Sequence, residues 1–287
     1  MLAEAKTTGS FGMLVDVVAS GGALILSGAG LSTESGIPDY RGPTGLARRA
    51  TPMTYQAFTA SAAARRTYWA RSYLGWRHIA RARPNDGHRA VAELGRRGLL
   101  AGIITQNVDG LHQAAGASGV TELHGSLHRV VCLSCGQRTS RAELHRRLAA
   151  ANPGWDTTAR AAAVNPDGDA ALDPAAAESF RVVPCSACRG VLKPDVVFYG
   201  ENVPRPRAES CYALVERASS LVVLGSSLTV MSGLRFVKHA AGRQLPVVIV
   251  NQGATRGDSY ASATLDAPLG PTLTALVAEL ELTRRLS

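Results

Sequence analysis

Short apolar runs, each closed by glycine or polar residues, alternate along this chain with longer stretches of helical periodicity. Ala23-Leu24-Ile25-Leu26 leads into Ser27-Gly28-Ala29-Gly30, and the run from Leu99 to Thr105 leads into Gln106-Asn107-Val108-Asp109. Farther on, Leu221-Val222-Val223-Leu224 ends at Gly225-Ser226-Ser227, and Val247-Val248-Ile249-Val250 at Asn251-Gln252-Gly253. Runs this brief and continuous predict strands covered on both faces. Residues 11–20, 88–95 and 111–115 have helical patterning between them, and Cys211 falls in a further helix. The alternation predicts an α/β fold, a Rossmann-like doubly wound parallel sheet with its ligand crevice along the carboxyl ends of the strands.

Two stretches break the alternation. From Ala47 to Ala82 the pattern is helical and carries Tyr68, Trp69, Tyr73 and Trp76, until Pro84-Asn85 stops it. A strand from Leu127 to Val131 then runs into Cys132-x-x-Cys135, and after an Ala-rich segment, 136–184, comes Cys185-x-x-Cys188. The chain returns through an extended stretch, Gly190 to Glu201. Hence the expected organisation is a Rossmann-like domain from 1–46, 84–128 and 191–287, and a small domain made of a helical module, 47–83, and a zinc-binding module, 129–190. No internal repeat is evident.

Composition narrows the classes. With 287 residues, 46% of them hydrophobic, the chain can bury a sizeable core. It has no continuous apolar run of about 18 residues, so no membrane helix is expected. The first twenty residues hold one lysine and no arginine, unlike a leader peptide, and the expected compartment is the cytoplasm. The net charge of +9 would permit nucleic-acid contact, but the arginines scatter through Ala-rich helical stretches with no aromatic interleaving. Solvated helix faces are the better reading, and a positive field suits an anionic cofactor.

Candidate chemistry begins at Gly28-Ala29-Gly30-Leu31-Ser32-Thr33-Glu34-Ser35, continuing Gly36-Ile37-Pro38-Asp39-Tyr40-Arg41-Gly42. Glycines after a buried strand let backbone approach a pyrophosphate, and Ser32 to Ser35 predict the cap of a helix whose N–H groups face it. The third glycine of a dinucleotide fingerprint would fall on Thr33, so an ordinary dehydrogenase is a poor match. Pro38, Asp39, Tyr40 and Arg41 add a rigid turn, an acid, an aromatic ring and a guanidinium beside the loop. Four cysteines in two C-x-x-C pairs give a closed tetrahedral thiolate site, hence one structural zinc at Cys132, Cys135, Cys185 and Cys188. Asn107 and Asp109 can grip a ribose or simply cap a helix.

At these motifs the sequence resembles the sirtuins, the NAD-dependent protein-lysine deacylases, over residues 12–282. The resemblance implies a general base at His124, in Leu-His-Gly, with Asn107 also in the catalytic centre. It implies that Gln106, Asn107 and Asp109 hold the nicotinamide and its ribose, and that Gly225, Ser226 and Ser227 line the phosphate side. Asn251, Gln252 and neighbouring Gly253 would take the adenosine ribose, and Leu269 the adenine edge. Val196, Val197, Phe198 and Tyr199 fall in the strand that pairs with an acyl-lysine peptide, with Val196 and Phe198 beside the acyl tunnel. The implied reaction consumes NAD and gives lysine, nicotinamide and O-acyl-ADP-ribose. The alternatives are mono-ADP-ribosyl transfer from the same site, or an NAD-sensing zinc module without turnover. Residues 65–71, Gly75-Trp76 and the long segment between the cysteine pairs resemble the class II branch, that of mitochondrial sirtuin 4. Tyr68 and Arg71 match a Tyr-x-x-Arg pair that reaches acidic acyl groups, which an arginine fork suits.

Overall fold

The structure is a computed structural model and describes residues 2–39, 52–155, 168–170, 172 and 174–286. In chain order the helices are α1 (Leu2–Ala19), α2 (Tyr55–Ala60), α3 (Ala62–Arg81), α4 (Asp86–Arg96), α5 (Leu111–Ala114), α6 (Arg141–Ala151), α7 (Pro174–Ala177), α8 (Arg205–Arg217), α9 (Met231–Gly242) and α10 (Leu269–Leu286). The strands are β1 (Ala23–Ser27), β2 (Leu100–Thr105), β3 (Val120–Glu122), β4 (Gly125–Cys132), β5 (Arg138–Ser140), β6 (Leu192–Val196), β7 (Ser220–Leu224), β8 (Val247–Val250) and β9 (Ala263–Leu265).

Six of these strands form one parallel sheet in the order β3-β2-β1-β7-β8-β9. The chain winds outward from β1 to one side and then from β7 to the other, as doubly wound sheets do, so the order reverses between β1 and β7. Both faces are covered, which explains the continuous apolar runs. Ile25, Val222 and Val248 pack with Leu14, Val91 and Leu276 from α1, α4 and α10, while their neighbours Leu24, Leu26 and Val223 pack with Val215, Phe236 and Val237 from α8 and α9.

A second sheet, β5-β4-β6, is antiparallel and packs with α2, α3 and α6 around Phe58, Trp69, Leu144 and Val130. Arg141 of α6 is buried, its guanidinium 5.5 Å from the Trp69 ring and 5.0 Å from the Trp76 ring. That contact fastens the segment between the cysteine pairs to α3.

Several local expectations change. Residues 29–35 form a 3-10 helix entered from Gly28 without a side-chain cap, so Ser32 and Thr33 lie inside it. Their hydroxyls are committed elsewhere, Thr33 Oγ1 donating to the Gly30 carbonyl at 2.9 Å. The stretch expected as helical from 47 to 82 is, over its described part, two helices with separate caps, Thr54 and Ser61, each accepting from the third residue onward. Strands β3, β5 and β9 span three residues each, too short for any periodicity to announce them.

Candidate active site

One cavity of about 1050 Å³ runs along the carboxyl ends of β1, β2, β7 and β8 and continues between the two sheets. At its floor Gly28 and Gly30 pack against the loop after β7. A Cβ on Gly28 would stand 2.7 Å from Ser226 Cβ, and one on Gly30 2.9 Å from Gly225 Cα. The Gly30 N–H donates to the Gly225 carbonyl at 2.8 Å, so the two loops are sutured at the point where the strand order reverses. Such a crevice, with backbone at its surface and no side chains filling it, fits an extended dinucleotide.

From β2 the chain enters a hydrogen-bonded knot. Asn107 Nδ2 donates to the Gly28 carbonyl and to Ser32 Oγ, both at 3.0 Å, and Ser32 Oγ donates to Asp109 Oδ2 at 2.7 Å. The Leu111 N–H gives Asp109 Oδ1 a further bond at 2.9 Å, while α5 itself starts from Gly110 without a side-chain cap. Burial pushes the Asp109 carboxyl above the usual range, against the pull of these donors. Among the described residues the Asn107 side-chain oxygen takes no hydrogen bond, and Asn107 lines the cavity. Behind the knot, Ser27 Oγ bonds Thr105 Oγ1 at 2.9 Å and His112 Nε2 at 2.8 Å, while Thr105 Oγ1 accepts from the Asn107 N–H at 3.1 Å.

His124 lies between β3 and β4 on the cavity wall, half-buried. Its Nδ1 is 2.9 Å from the Gln106 carbonyl, which can only accept, so Nδ1 carries the hydrogen and Nε2 the lone pair. Ser232 Oγ meets that lone pair at 2.8 Å. Burial in the surrounding protein lowers the imidazole to about 4; the Gln106 carbonyl works against this, and the charges of Arg207 and Arg235 add to it. At neutral pH the ring is therefore an unprotonated base. The His124 carbonyl in turn accepts from the Val197 N–H at 2.8 Å, which ties the base to the strand leaving β6.

The far wall is apolar. Tyr68, Phe198, Val196, Met53, Val108 and Ile37 line it, and Tyr68 and Phe198 meet edge to face at 5.2 Å. Of the residues singled out in the sequence, Gly28, Ala29, Gly30, Ser32, Asp39, Gln106, Asn107, Asp109, His124, Val196 to Tyr199, Gly225 to Ser227, Asn251 to Gly253, Leu269 and Tyr68 all line this one cavity. Pro38 is buried and is not among the lining residues. Arg71 is not among them either: its guanidinium pairs with Asp169 at 3.0 Å and donates to the Ala170 carbonyl at 3.0 Å. Tyr68 and Arg71 differ because residues three apart on a helix point about 60° apart, enough to send one to the cavity and the other to the neighbouring segment. Tyr40 and Arg41 lie outside the described residues. Ser232 and Arg235 line the cavity as well, yet no motif marked them.

At the end of the small sheet, Cys132, Cys135, Cys185 and Cys188 bring their sulfurs within 4.8 Å of one another. Cys132 and Cys188 are 3.4 Å apart, Cys135 and Cys185 3.9 Å. The Cys135 N–H, helped by that of Ser134, holds the Cys132 thiol down to about 6. Four converging sulfurs with one already inclined to ionise fit a single closed zinc site, held by these cysteines and remote from the chemistry.

The fold and the cavity define an NAD-binding enzyme of the doubly wound α/β class with a zinc-braced small module. The Sir2 family matches residues 28–232, and the chain belongs to that family. It is 64% identical over 269 residues to the NAD-dependent protein deacetylase 1 of Streptomyces coelicolor, covering 94% of this chain and 89% of that protein. To the protein of the same name in Mycobacterium avium it is 49% identical over 270 residues, 93% of this chain and 94% of the other. A solved structure of Sir2 with a p53 peptide and NAD+ superimposes with a TM-score of 0.76 at 28% identity, covering 94% of this chain and 98% of that one. Another, a Sir2 variant with a deacetylated p53 peptide and 3'-O-acetyl ADP ribose, gives 0.74 at 28% identity, with the same coverage.

Proposed function

We propose that this protein is an NAD-dependent protein-lysine deacylase in which His124 is the general base. The observation that carries the reading is the imidazole itself: Nδ1 is held by the Gln106 carbonyl, and Nε2 stands on the wall shared by the glycine-lined crevice and the strand at 196–199. NAD supplies the ADP-ribosyl group that accepts the acyl chain and releases nicotinamide. Gly28, Ala29, Gly30, Ser32, Gly225, Ser226 and Ser227 cradle its phosphates, while Asn251, Gln252, Gly253 and Leu269 hold the adenosine end. Gln106, Asn107 and Asp109 serve the nicotinamide ribose, where the unused Asn107 oxygen is free to accept from a hydroxyl. Asp39, which lines the cavity, borders the same end. His124 takes a ribose hydroxyl proton at Nε2, which a neutral imidazole does at pH 7.

The substrate is a protein segment carrying an acyl-lysine, added as a strand along Val196, Val197, Phe198 and Tyr199. Tyr68 and Phe198 flank the acyl chain, and their apolar wall favours an uncharged one; Arg71, engaged by Asp169, leaves an acidic chain without its partner. We further assign the chain to the class II branch that mitochondrial sirtuin 4 represents, supported by residues 65–71, Gly75-Trp76 and the long segment between the cysteine pairs. Among the described residues no helix is long and apolar enough to cross a membrane. Thiols kept for a metal suit a reducing compartment, so cytoplasmic placement is our reading.

The test is turnover of acetyl-lysine and glutaryl-lysine peptides with NAD, followed by mass. We expect nicotinamide and O-acetyl-ADP-ribose, with the glutaryl peptide slower. His124→Phe should lower acyl removal by about 100-fold or more while calorimetry still shows NAD binding. Acyl removal persisting in that variant would overturn the role of His124, and ADP-ribose gained by the protein with no acyl group lost would favour the transferase alternative.

A further inference from the structure

The lone pair of the His124 ring already has a partner within the protein. Because Nδ1 donates to Gln106, the Ser232 hydroxyl must be the donor in its 2.8 Å contact with Nε2. Ser232 stands in the first turn of α9, and that turn presses on the same Gln106 from the other side. A Cβ on Gly233 would lie 2.7 Å from Gln106 Oε1, so a larger residue there would push the Gln106 amide aside. Gln106 therefore gauges both contacts of the ring, its carbonyl at Nδ1 and its side chain against the turn that carries Ser232.

The turn is not loose. Arg235 Nε donates to the Ser232 carbonyl at 3.2 Å, and Arg256 donates to the Thr229 carbonyl at 2.7 Å. Ser227 Oγ and Thr229 Oγ1 are 3.1 Å apart, and the Leu228 N–H donates to Ser226 Oγ at 3.3 Å. The hydroxyl is thus delivered by a braced segment to a ring braced on its other side. Ser232 is half-buried and lines the cavity, so a ligand can reach both it and Nε2.

We propose that Ser232 is a positioning residue for the base: its hydroxyl aims the His124 ring before the co-substrate binds and then yields Nε2 to the ribose hydroxyl of the bound co-substrate. The proton of that hydroxyl passes to Nε2, the ribose oxygen keeps the electron pair for its attack on the acyl carbon, and Nδ1–H stays on Gln106. Ser232 then turns from donor to acceptor, its oxygen receiving the new Nε2–H. A hydroxyl can play both parts, which a methyl or a carbonyl cannot.

This rests on His124 as the base, so the experiment separates the two. Unsubstituted enzyme, Ser232→Ala and Ser232→Thr are compared with saturating NAD and acetyl-lysine peptide, reading the initial nicotinamide burst and the later O-acetyl-ADP-ribose rate. The NAD-free enzymes are read by the ¹⁵N resonance of His124 Nε2, assigned with His124→Phe. In Ser232→Ala we expect an unchanged burst, an acyl-transfer rate about 3- to 10-fold lower, and an Nε2 resonance moved toward that of a free lone pair. Thr should restore both. Equal slowing of burst and transfer, no slowing of either, or an Nε2 resonance that does not move would overturn the proposal. Alanine favours helix at this position, and the unsubstituted enzyme gives a check independent of the variants: an Nε2 resonance already at the free-lone-pair value also overturns it. Loss of activity in His124→Phe with no effect in Ser232→Ala would leave the base in place and remove only Ser232.

Discussion

Lys193 is 3% exposed, an ammonium in a place where such a group needs partners. It finds Glu201 at 3.0 Å, the Val196 carbonyl at 2.5 Å, the Pro194 carbonyl at 3.2 Å and the Phe198 ring at 4.7 Å. Glu201 also accepts from the Phe198 N–H at 2.9 Å, so the pair holds the bend at which β6 becomes the cavity wall. Removing the ammonium leaves a partly buried carboxylate beside that bend. Lys193→Met should therefore cost about 2–3 kcal/mol, less than a wholly buried pair because Glu201 keeps some water, and should raise the peptide KM more than the NAD KM. Urea melts and steady-state kinetics check both halves. At this scale the sequence was legible wherever a residue type has few uses. Paired cysteines, glycines after an apolar run and a histidine before glycine pointed to the cysteine cluster, the crevice and an imidazole on the cavity wall. Ser232 was not legible, because its meaning comes from an approach between residues 108 positions apart, and serine at a helix start suggests a cap. Arg71 misled for the same reason: its partner, Asp169, belongs to a segment that no local pattern connects to α3.

The element that links metal to chemistry is β4. It starts at Gly125, beside His124, and ends at Cys132, and β6 pairs with it from Leu192 to Val196. An ion at the four cysteines thus fixes the far ends of the two strands whose near ends carry His124 and the stretch from Val196 to Tyr199. Cys135→Ser, or prolonged chelation, should remove one zinc per chain and lower the melting temperature by roughly 10 °C, with deacylation lost alongside. Metal analysis and calorimetry measure it, and an unchanged melt in metal-free protein would refute the bracing role. Elements were readable in proportion to their length and their coverage. Strands β1, β2, β7 and β8 stood out because both faces are packed. Strands β3, β5 and β9 owe their state to neighbours that supply the pairing, and the turn after Gly28 tightened to a 3-10 helix because Ser32 is drawn to Asp109 and Asn107.

At the scale of the whole molecule, burial keeps His88, His112 and His124 neutral: His88 falls to about 3, His112 to about 4 and His124 to about 4, from 6.5. Once unfolded, these rings bind protons below pH 6.5, and the native state refuses them. Stability is accordingly full above that value and declines as pH drops toward 4, by about 1.4 kcal/mol per pH unit for each ring protonated on unfolding. Asp109, raised by burial, acts in the opposite sense as a single carboxyl against three rings. Urea midpoints taken between pH 7.5 and 5.5 should fall by the equivalent of about 3 kcal/mol, and a flat profile would contradict the burial of these rings. The reversal of strand order has a different reach. Gly28 donates to the Leu224 carbonyl and Gly30 to that of Gly225, so the two lips of the crevice come from stretches about 200 residues apart in the chain. A nascent chain that has emerged only as far as the zinc module owns half a cleft and has nothing to close it. Its apolar β1 edge must wait until β7 has emerged to pair with it, a long-range contact of the kind that slows folding and leaves unfinished forms in need of shelter.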